Sequence, residues 1–393
     1  MKARQLCNWK KDSIFHYMAT KRIRPVPLTK PTLQSLAAYA PAFKEILKSG
    51  RLTMGPYGAE LEKRVAKYLG VKHVIAVSSC TSGMMLVLKA LDLKGEIIIP
   101  SFTFTASALP PLWCGLSVVY ADCKPDTYEI DPQSVEALIT KDTTAILATH
   151  VFGVVCDVAP LQKIAKKHNL KLIFDAAHAF GSTRDGVKAG NFGDAEIFSM
   201  TPTKVMTAAE GGIIATNDDQ LAALCRVGRN YGDDGKGGLA MQGLSARLSE
   251  FHAAIAVESL RSLEKNIKRR AQIARRYTKG LTDLQGISFQ SVPPSVRSTY
   301  KDFSIRIDPK RTRFTRDGLK MYLSEHGVGS KGYFYPPLHR IGKLTSTRVS
   351  ELGHTEAVTE QVLSLPLFSH MTDREVDHVL DLIHYFYDTK KTR

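Results

Sequence analysis

The sequence predicts an α/β protein, with a large domain on a mostly parallel seven-stranded sheet and a smaller C-terminal α+β domain. Three observations lead there. Seven short apolar runs between residues 60 and 220 alternate with amphipathic stretches. A long helical pattern then occupies residues 249–281. A second, shorter set of strand and helix patterns follows it.

The seven runs are "VKHVIAVSS", "GEIIIPS", "LSVVYAD", "TAILATHVFG", "LKLIFDAA", "AEIFSM" and "GGIIATND". Each ends at turn or small polar residues, as buried strands do. Between them "TSGMMLVLKALDL", "SVEALITK" and "VAPLQKIAKKHN" read as helices, and this alternation predicts βαβ units and a covered parallel sheet. In the long helix, Leu260, Leu263, Ile267, Ala274 and Leu281 recur at helical spacing. Beyond it come a strand in "YKDFSIRID", a helix near "TRDGLKMYLSEHG" and a last helix at "DREVDHVLDLIHYFY". The division is an N-terminal arm at 1–30, a large domain at 31–265 and a smaller one at 266–393.

The 393 residues carry a net charge of +16. The basic residues gather in the first residues, in "KNIKRRAQIARR" and in "DTKKTR", which solvated helix faces and termini explain. No nucleic-acid motif accompanies them, so a phosphorylated small molecule suits the charge better than DNA or RNA. The six cysteines form no CxxC pair and no histidines have zinc spacing, which argues for reduced thiols, a cytoplasmic protein and no metal. The most apolar segment, "EIIIPSFTFTASALPPLWCGLSVVYA", is broken by prolines and polar groups, so no membrane span is expected.

In open α/β sheets, ligands sit beyond the carboxyl ends of strands. Three such ends hold reactive or polar groups. "VIAVSSCTSGMM" runs from a strand into a helix start at Ser79, Cys80, Thr81 and Ser82, which reads as a phosphate site or an ordinary N-cap. "LIFDAAHAFGS" closes an apolar strand with Asp175, either a partner for a cation or a helix cap, and His178 follows. "FSMTPTKVMTAAEGG" sets Lys204 among small residues, where partial burial would leave a neutral amine able to meet a carbonyl; Ser199 precedes it. Together a phosphate site, a carboxylate and an amine describe pyridoxal 5'-phosphate.

The order of these blocks resembles the DegT/StrS-type nucleotide-sugar aminotransferases, within pyridoxal-phosphate fold type I. The blocks are "RLTMGPYGAELEKRVAKYLGVKHVIAVSS", "IIIPSFTFTAS", "DAAHAFGS", "FSMTPTKVMTAAEGG", "LSEFHAAIAVESL" and "SLPLF", from Arg51 to the last helix. The resemblance implies that Lys204 is the Schiff-base lysine and Asp175 the carboxylate on the ring nitrogen. It implies that His178 lies beside the ring hydroxyl and that Phe104 stacks on the ring. Thr81, Ser82 and Ser199, with Cys80 between the serines and Thr81's helix, imply the phosphate contacts. Asn230 is implied to reach the phosphate of a neighbouring subunit, making a homodimer with a shared site. The implied reaction moves an amino group from L-glutamate to a nucleotide-linked keto-deoxysugar. A keto-cyclitol aminotransferase and a non-catalytic regulatory relative are the alternatives.

The chain departs from the family pattern at Cys80, where Gly is usual, and at Ala209, where Gly is usual before Glu210. It departs again at Ser245-Ala246-Arg247, where Asn-Tyr-Arg or a similar triplet is common. In the segment "KGYFYPPLHR", Lys331, Tyr333, Tyr335, His339 and Arg340 are the candidates for substrate binding, with a Pro-bounded loop of ordinary packing as the alternative.

Overall fold

The computed structural model describes residues 25–344 and 348–391. Most of the expected N-terminal arm and Cys7 lie outside the described residues. Of the arm's remainder, Val26 is buried and bridges Val328.

All seven apolar runs enter one sheet. They are β1 (His73–Val77), β2 (Glu96–Pro100), β3 (Ser117–Ala121), β4 (Thr143–Thr149), β5 (Lys171–Asp175), β8 (Ala195–Ser199) and β9 (Gly212–Thr216). Their order is β1-β9-β8-β5-β4-β2-β3. The β3-β2-β4-β5-β8 ladder is parallel, and β9 runs antiparallel to both β8 and β1. Five-residue runs such as "HVIAV" suit strands covered on both faces.

Helices cover the two faces: α1 (Leu36–Ser49), α2 (Pro56–Leu69), α3 (Cys80–Ala90), α4 (Thr105–Trp113), α5 (Pro132–Leu138), α6 (Val158–His168) and α7 (Asp219–Gly228). One apolar cluster joins Leu61, Val65, Ile98, Phe174 and Phe198, and another on the opposite face joins Met84, Val87, Ile97, Leu147 and Ile197. α8 (Glu250–Leu281) is the long helix the sequence predicts. Its first half packs into the large core through Ala253, Val257, Leu263 and Ile267. Its second half, through Ile273, Tyr277 and Leu281, joins a separate core.

That second core is built on a sheet of β10 (Ile287–Phe289), β12 (Phe303–Ile307) and β13 (Val362–Leu365), all antiparallel. α10 (Arg316–Glu325), α11 (Gly353–Gln361) and α12 (Asp373–Lys391) flank it, after a single turn, α9 (Pro309–Thr312). A small third sheet joins β6 (Thr183–Arg184), β7 (Val187–Lys188) and β11 (Val296–Arg297).

The sequence reading did not name α1, α2, α4, α7 or α11, and α4 is the one its own residues disguise. α4 carries Pro110 and Pro111 inside its nine residues. Prolines normally end a helix because they lack the N–H donor. Here they fall in its second turn, so the carbonyls of Ala106 and Ser107 lose their i+4 partners while the first turn stays intact. Among the described residues, no helix is long and apolar enough to cross a membrane.

Candidate active site

Several strand ends open on one cavity of about 360 Å³. Ser79, Cys80 and Thr81 come to it after β1, and Phe104 after β2. Thr149, Asp175 and His178 come from the ends of β4 and β5. Ser199 and Lys204 come from the end of β8 and the loop beyond it. Lys301, Lys331, Tyr333 and Phe334 form the opposite wall, from the second domain's side.

The start of α3 is a capping box. Ser79 Oγ accepts from the Ser82 N–H at 3.0 Å, and Ser82 Oγ accepts from the Ser79 N–H at 3.1 Å. Ser82 is thus spent on the helix and does not line the cavity. The first N–H groups of a helix have no acceptor inside it, so those of Cys80 and Thr81 remain for an anion. Burial pushes the Cys80 thiol well above its ordinary pKa, which leaves it neutral and unreactive; its Sγ rests on the Ile197 carbonyl at 3.7 Å.

Asp175 is buried, and both carboxylate oxygens are occupied. Oδ1 accepts from the Ala177 N–H at 3.0 Å, and Oδ2 accepts from the Ser107 hydroxyl at 2.6 Å. Ser107 Oγ lies 2.9 Å from Thr103 Oγ1, which lies 3.1 Å from Thr149 Oγ1. Each hydroxyl has one proton, so the chain runs from Thr149 through Thr103 and Ser107 to Asp175. These donors fix the direction of the carboxylate. The sequence reading missed Ser107 because α4, which carries it, was missed, and Thr103 because nothing in "SFTFTAS" sets it apart from Thr105.

His178 stacks on Phe152, with ring centroids 6.3 Å apart. Its Nδ1 accepts from the Phe152 N–H at 3.2 Å, which assigns the proton to Nε2. Burial, then the charges of Lys204 and Lys301, push its pKa well below the usual histidine value, so the ring is a neutral donor.

Lys204 sits on the loop joining antiparallel β8 and β9. Val205 and Met206 plunge into the core beside it, the Ala208 N–H bonds the Met200 carbonyl at 2.9 Å, and the Thr207 N–H bonds Ser259 Oγ at 3.0 Å. Gly212 starts β9 against the head of α3. A Cβ there would meet the Ser79 and Cys80 backbone at 2.4–2.6 Å, so only glycine lets the two approach. Burial, then the like charge of Lys301, push the Lys204 amine down to about 8, against the opposing pull of Asp175. An amine that is half neutral near pH 8, and still partly neutral near pH 7, is a nucleophile and a proton carrier.

The remaining candidates are placed as follows. Phe104 is the N-cap residue of α4, is 52% exposed, and lines the cavity. Asn230 does not line it: it bridges Ser245, and its Oδ1 accepts from Arg247 at 3.1 Å. Lys331 and Tyr333 line it, with Lys331 Nζ 4.9 Å from the Tyr333 ring centre. Tyr335 is exposed beside Arg316. His339 and Arg340 both bind Glu356, at 2.7 and 2.6 Å, away from the cavity. Lys301, which the sequence reading passed over, is the further cation; its signal was a Lys-Asp pair at the head of an apolar strand. Among the described residues, no group of three His, Cys, Asp or Glu side chains is arranged to hold a metal.

A sheet whose strand ends bring a depressed-pKa lysine, a buried carboxylate and an open helix N-terminus to one cavity defines a transaminase-like enzyme. Comparisons agree. The model of the DegT/DnrJ/EryC1/StrS aminotransferase family matches residues 36–384. The chain is 33% identical to the GDP-perosamine synthase of Caulobacter vibrioides, over 84% of this chain and 89% of that one. It is 31% identical to the dTDP-4-amino-4,6-dideoxy-D-glucose transaminase of Escherichia coli, over 92% and 98%. Among solved structures, DesI in the presence of its TDP-sugar product superposes with a TM-score of 0.89 at 35% identity, covering 93% of each chain. The chain belongs to the DegT/DnrJ/EryC1/StrS aminotransferase family.

Proposed function

We propose that the protein is a pyridoxal-phosphate-dependent aminotransferase that moves an amino group from L-glutamate to a nucleotide-linked keto-deoxysugar. The observation that carries this reading is the single cavity that collects Lys204, Asp175, His178 and the head of α3. Its residues fit the cofactor. The N–H groups of Cys80 and Thr81, with the Thr81 and Ser199 hydroxyls, would hold its phosphate. Asp175 would face the ring nitrogen, Phe104 the ring, and His178 the ring hydroxyl. Lys204 would hold the carbonyl carbon through Nζ. When bound, the cofactor supplies an electron sink for the carbon that loses its proton.

The chain's own groups do the rest. Asp175, fixed by Ser107 and Ala177, keeps a proton on whatever basic nitrogen it faces. Lys204 Nζ, once free, takes the proton from the α-carbon of the donor and returns one to the carbon of the acceptor. Tyr333 and Phe334 limit water on the open side. The Sugar nucleotides named for the two curated relatives support the acceptor class. A nucleotide's phosphates would meet Lys331 at the cavity mouth. Asn230, outside the cavity of its own chain, supports a homodimer in which it reaches the partner's site. The reading also places the protein in the cytoplasm, where nucleotide sugars are made.

A panel of nucleotide keto sugars with glutamate, read by mass spectrometry, tests the function. One amino-sugar product with matching 2-oxoglutarate is expected. Release of an amino cyclitol from a nucleotide-free ketone, with no product from the sugars, would replace it.

A further inference from the structure

Lys301 has no part in the steps above, yet its side chain is only 4% exposed and lines the cavity. A buried ammonium is costly unless paired. Both oxygens of the equally buried Asp302 lie 2.9 Å from Lys301 Nζ. Two N–H bonds can serve Asp302, and an ammonium has three. The segment is mounted rigidly. Buried Arg270 donates to the carbonyls of Tyr300 at 2.8 Å and Lys301 at 2.6 Å, and the Lys301 N–H bonds the Phe152 carbonyl at 3.0 Å. Phe152 is the residue that carries His178. The Tyr333 ring stands between two cations, with its centre 6.0 Å from Lys301 Nζ and 4.9 Å from Lys331 Nζ. Lys331 is exposed, and Lys301 is not.

The two lysines therefore meet different anions. Exposed Lys331 stands at the rim of the cavity and buried Lys301 inside it, so the hydrated phosphates of a nucleotide stay with the outer lysine. Only the sugar ring reaches the inner one, and that ring is uncharged. An amino acid is small enough to bring a carboxylate all the way in. A site that serves both in turn needs an inner cation that is satisfied when the neutral substrate is present and still has a donor for the anionic one. The Lys301–Asp302 pair meets both conditions.

We infer that Lys301 binds the α-carboxylate of the amino donor, and that Lys331 serves the phosphates of the sugar nucleotide. The inference rests on the aminotransferase reading. Its test separates the half-reactions of the cofactor-loaded protein by following the cofactor's absorbance. L-Glutamate and its α-amide are the donors in one arm, and the nucleotide keto sugar is the acceptor in the other. Loss of one charge-assisted hydrogen bond is worth about tenfold to a hundredfold. Lys301→Met should raise the glutamate concentration for half-maximal rate by about that factor. Read at a pH above the Lys204 plateau, where a shift of that amine no longer counts, the sugar half-reaction should keep its constants within about threefold. Wild-type protein should prefer glutamate to the α-amide, and Lys301→Met should lose most of that preference. Lys301→Arg should restore part of it. Calorimetric titration with α-methylglutamate, which has no α-hydrogen to give, reads the same contact without turnover.

If Lys301→Met does not fold because Asp302 is stranded, Lys301→Met/Asp302→Asn removes both charges and is read in the same way. Equal losses in both half-reactions, or an acid-over-amide preference that survives the substitution, would overturn the assignment. A wild-type protein that reacts with no amino acid at all would instead overturn the aminotransferase reading, and this inference with it.

Discussion

The floor and the far wall of the cavity are built on opposite principles. On the floor the carboxylate and the hydroxyls around it are tied down. Asp175 has a donor on each oxygen, three hydroxyls stand in line behind it, and Ser79 and Ser82 cap each other. On the far wall Lys331 and Tyr335 are exposed, and the Lys331 amine stands 4.9 Å from the Tyr333 ring centre with no ion-pair partner among the described residues. Groups that must hold one geometry for one cofactor gain from being over-determined. Groups that must admit two substrates gain from having a donor to spare. The comparison teaches where chemistry ends and selectivity begins, and it can be broken by substitutions on either side.

The largest effect is expected at Lys204. Lys204→Ala removes the covalent anchor and the proton carrier together, so kcat should fall by about a thousandfold or more. Borohydride treatment of the wild-type holoenzyme should leave a pyridoxyl group on the peptide containing Lys204. A label on another lysine would sink the assignment.

Next comes the carboxylate and the group that aims it. Asp175→Asn should lower kcat by about a hundredfold to a thousandfold while some cofactor is retained. Ser107→Ala removes one donor to a buried charge and should cost about tenfold to a hundredfold. If Ser107→Ala reacts at the wild-type rate, the hydroxyl chain is packing and not positioning.

The contrast between Asp175 and Ser107 shows what the sequence could and could not disclose. The seven strands were legible because each is a short apolar run with a turn signal at its end. Asp175, His178 and Lys204 were legible because a charged or basic residue at such an end breaks the apolar pattern. Ser107 was not, because Pro110 and Pro111 masked the helix that carries it. Lys301 was not, because a Lys-Asp pair beside a strand looks like solvated charge until burial is known. Ser82 and His339 are ordinary candidates by composition. Only the three-dimensional structure shows one absorbed by a capping box and the other held by Ser101 and Glu356.

On the far wall, Lys331→Glu should raise KM for the nucleotide sugar about tenfold while KM for glutamate stays within about twofold. Added salt should act in the same direction, because the contact is exposed. Equal changes for both substrates would erase the division between the two walls.

The walls also communicate by charge. Neutral Lys204 is the reactive form, and its ammonium loses a proton near pH 8. Loading of cofactor-free protein should therefore quicken as pH rises to about 8 and level off above it, whereas an ordinary lysine would keep gaining toward about 10.4. Lys301→Met removes the neighbouring like charge, and Asp302, left bare, favours the ammonium. The plateau should move to higher pH. Stopped-flow absorbance after mixing with pyridoxal phosphate, from pH 6.5 to 10, measures it; a plateau that moves to lower pH would deny Lys301 its influence.

The smallest effect tests whether the floor is as over-determined as its hydrogen bonds imply. Ala209 ends the Lys204 loop at φ 67°, a left-handed conformation that costs a side chain with Cβ about 1–2 kcal/mol. Its N–H is held by Thr207 Oγ1 at 3.1 Å, Thr207 is itself bonded to Met200 and Ser259, and Gly211 beyond it bonds Met200. These contacts keep Ala209 strained. Glycine accepts the conformation freely but loses about 0.5–1 kcal/mol more backbone entropy on folding. The two terms leave Ala209→Gly more stable by about 0.5–1 kcal/mol, read from the urea midpoint. Because the loop is anchored on both sides of Lys204, kcat should stay within about twofold of wild type. A stabilised variant with unchanged kcat means the strain at Ala209 is incidental to catalysis. A stabilised variant that turns over markedly more slowly would mean that the strain helps to aim Lys204, and the floor would then be rigid by tension as well as by hydrogen bonding.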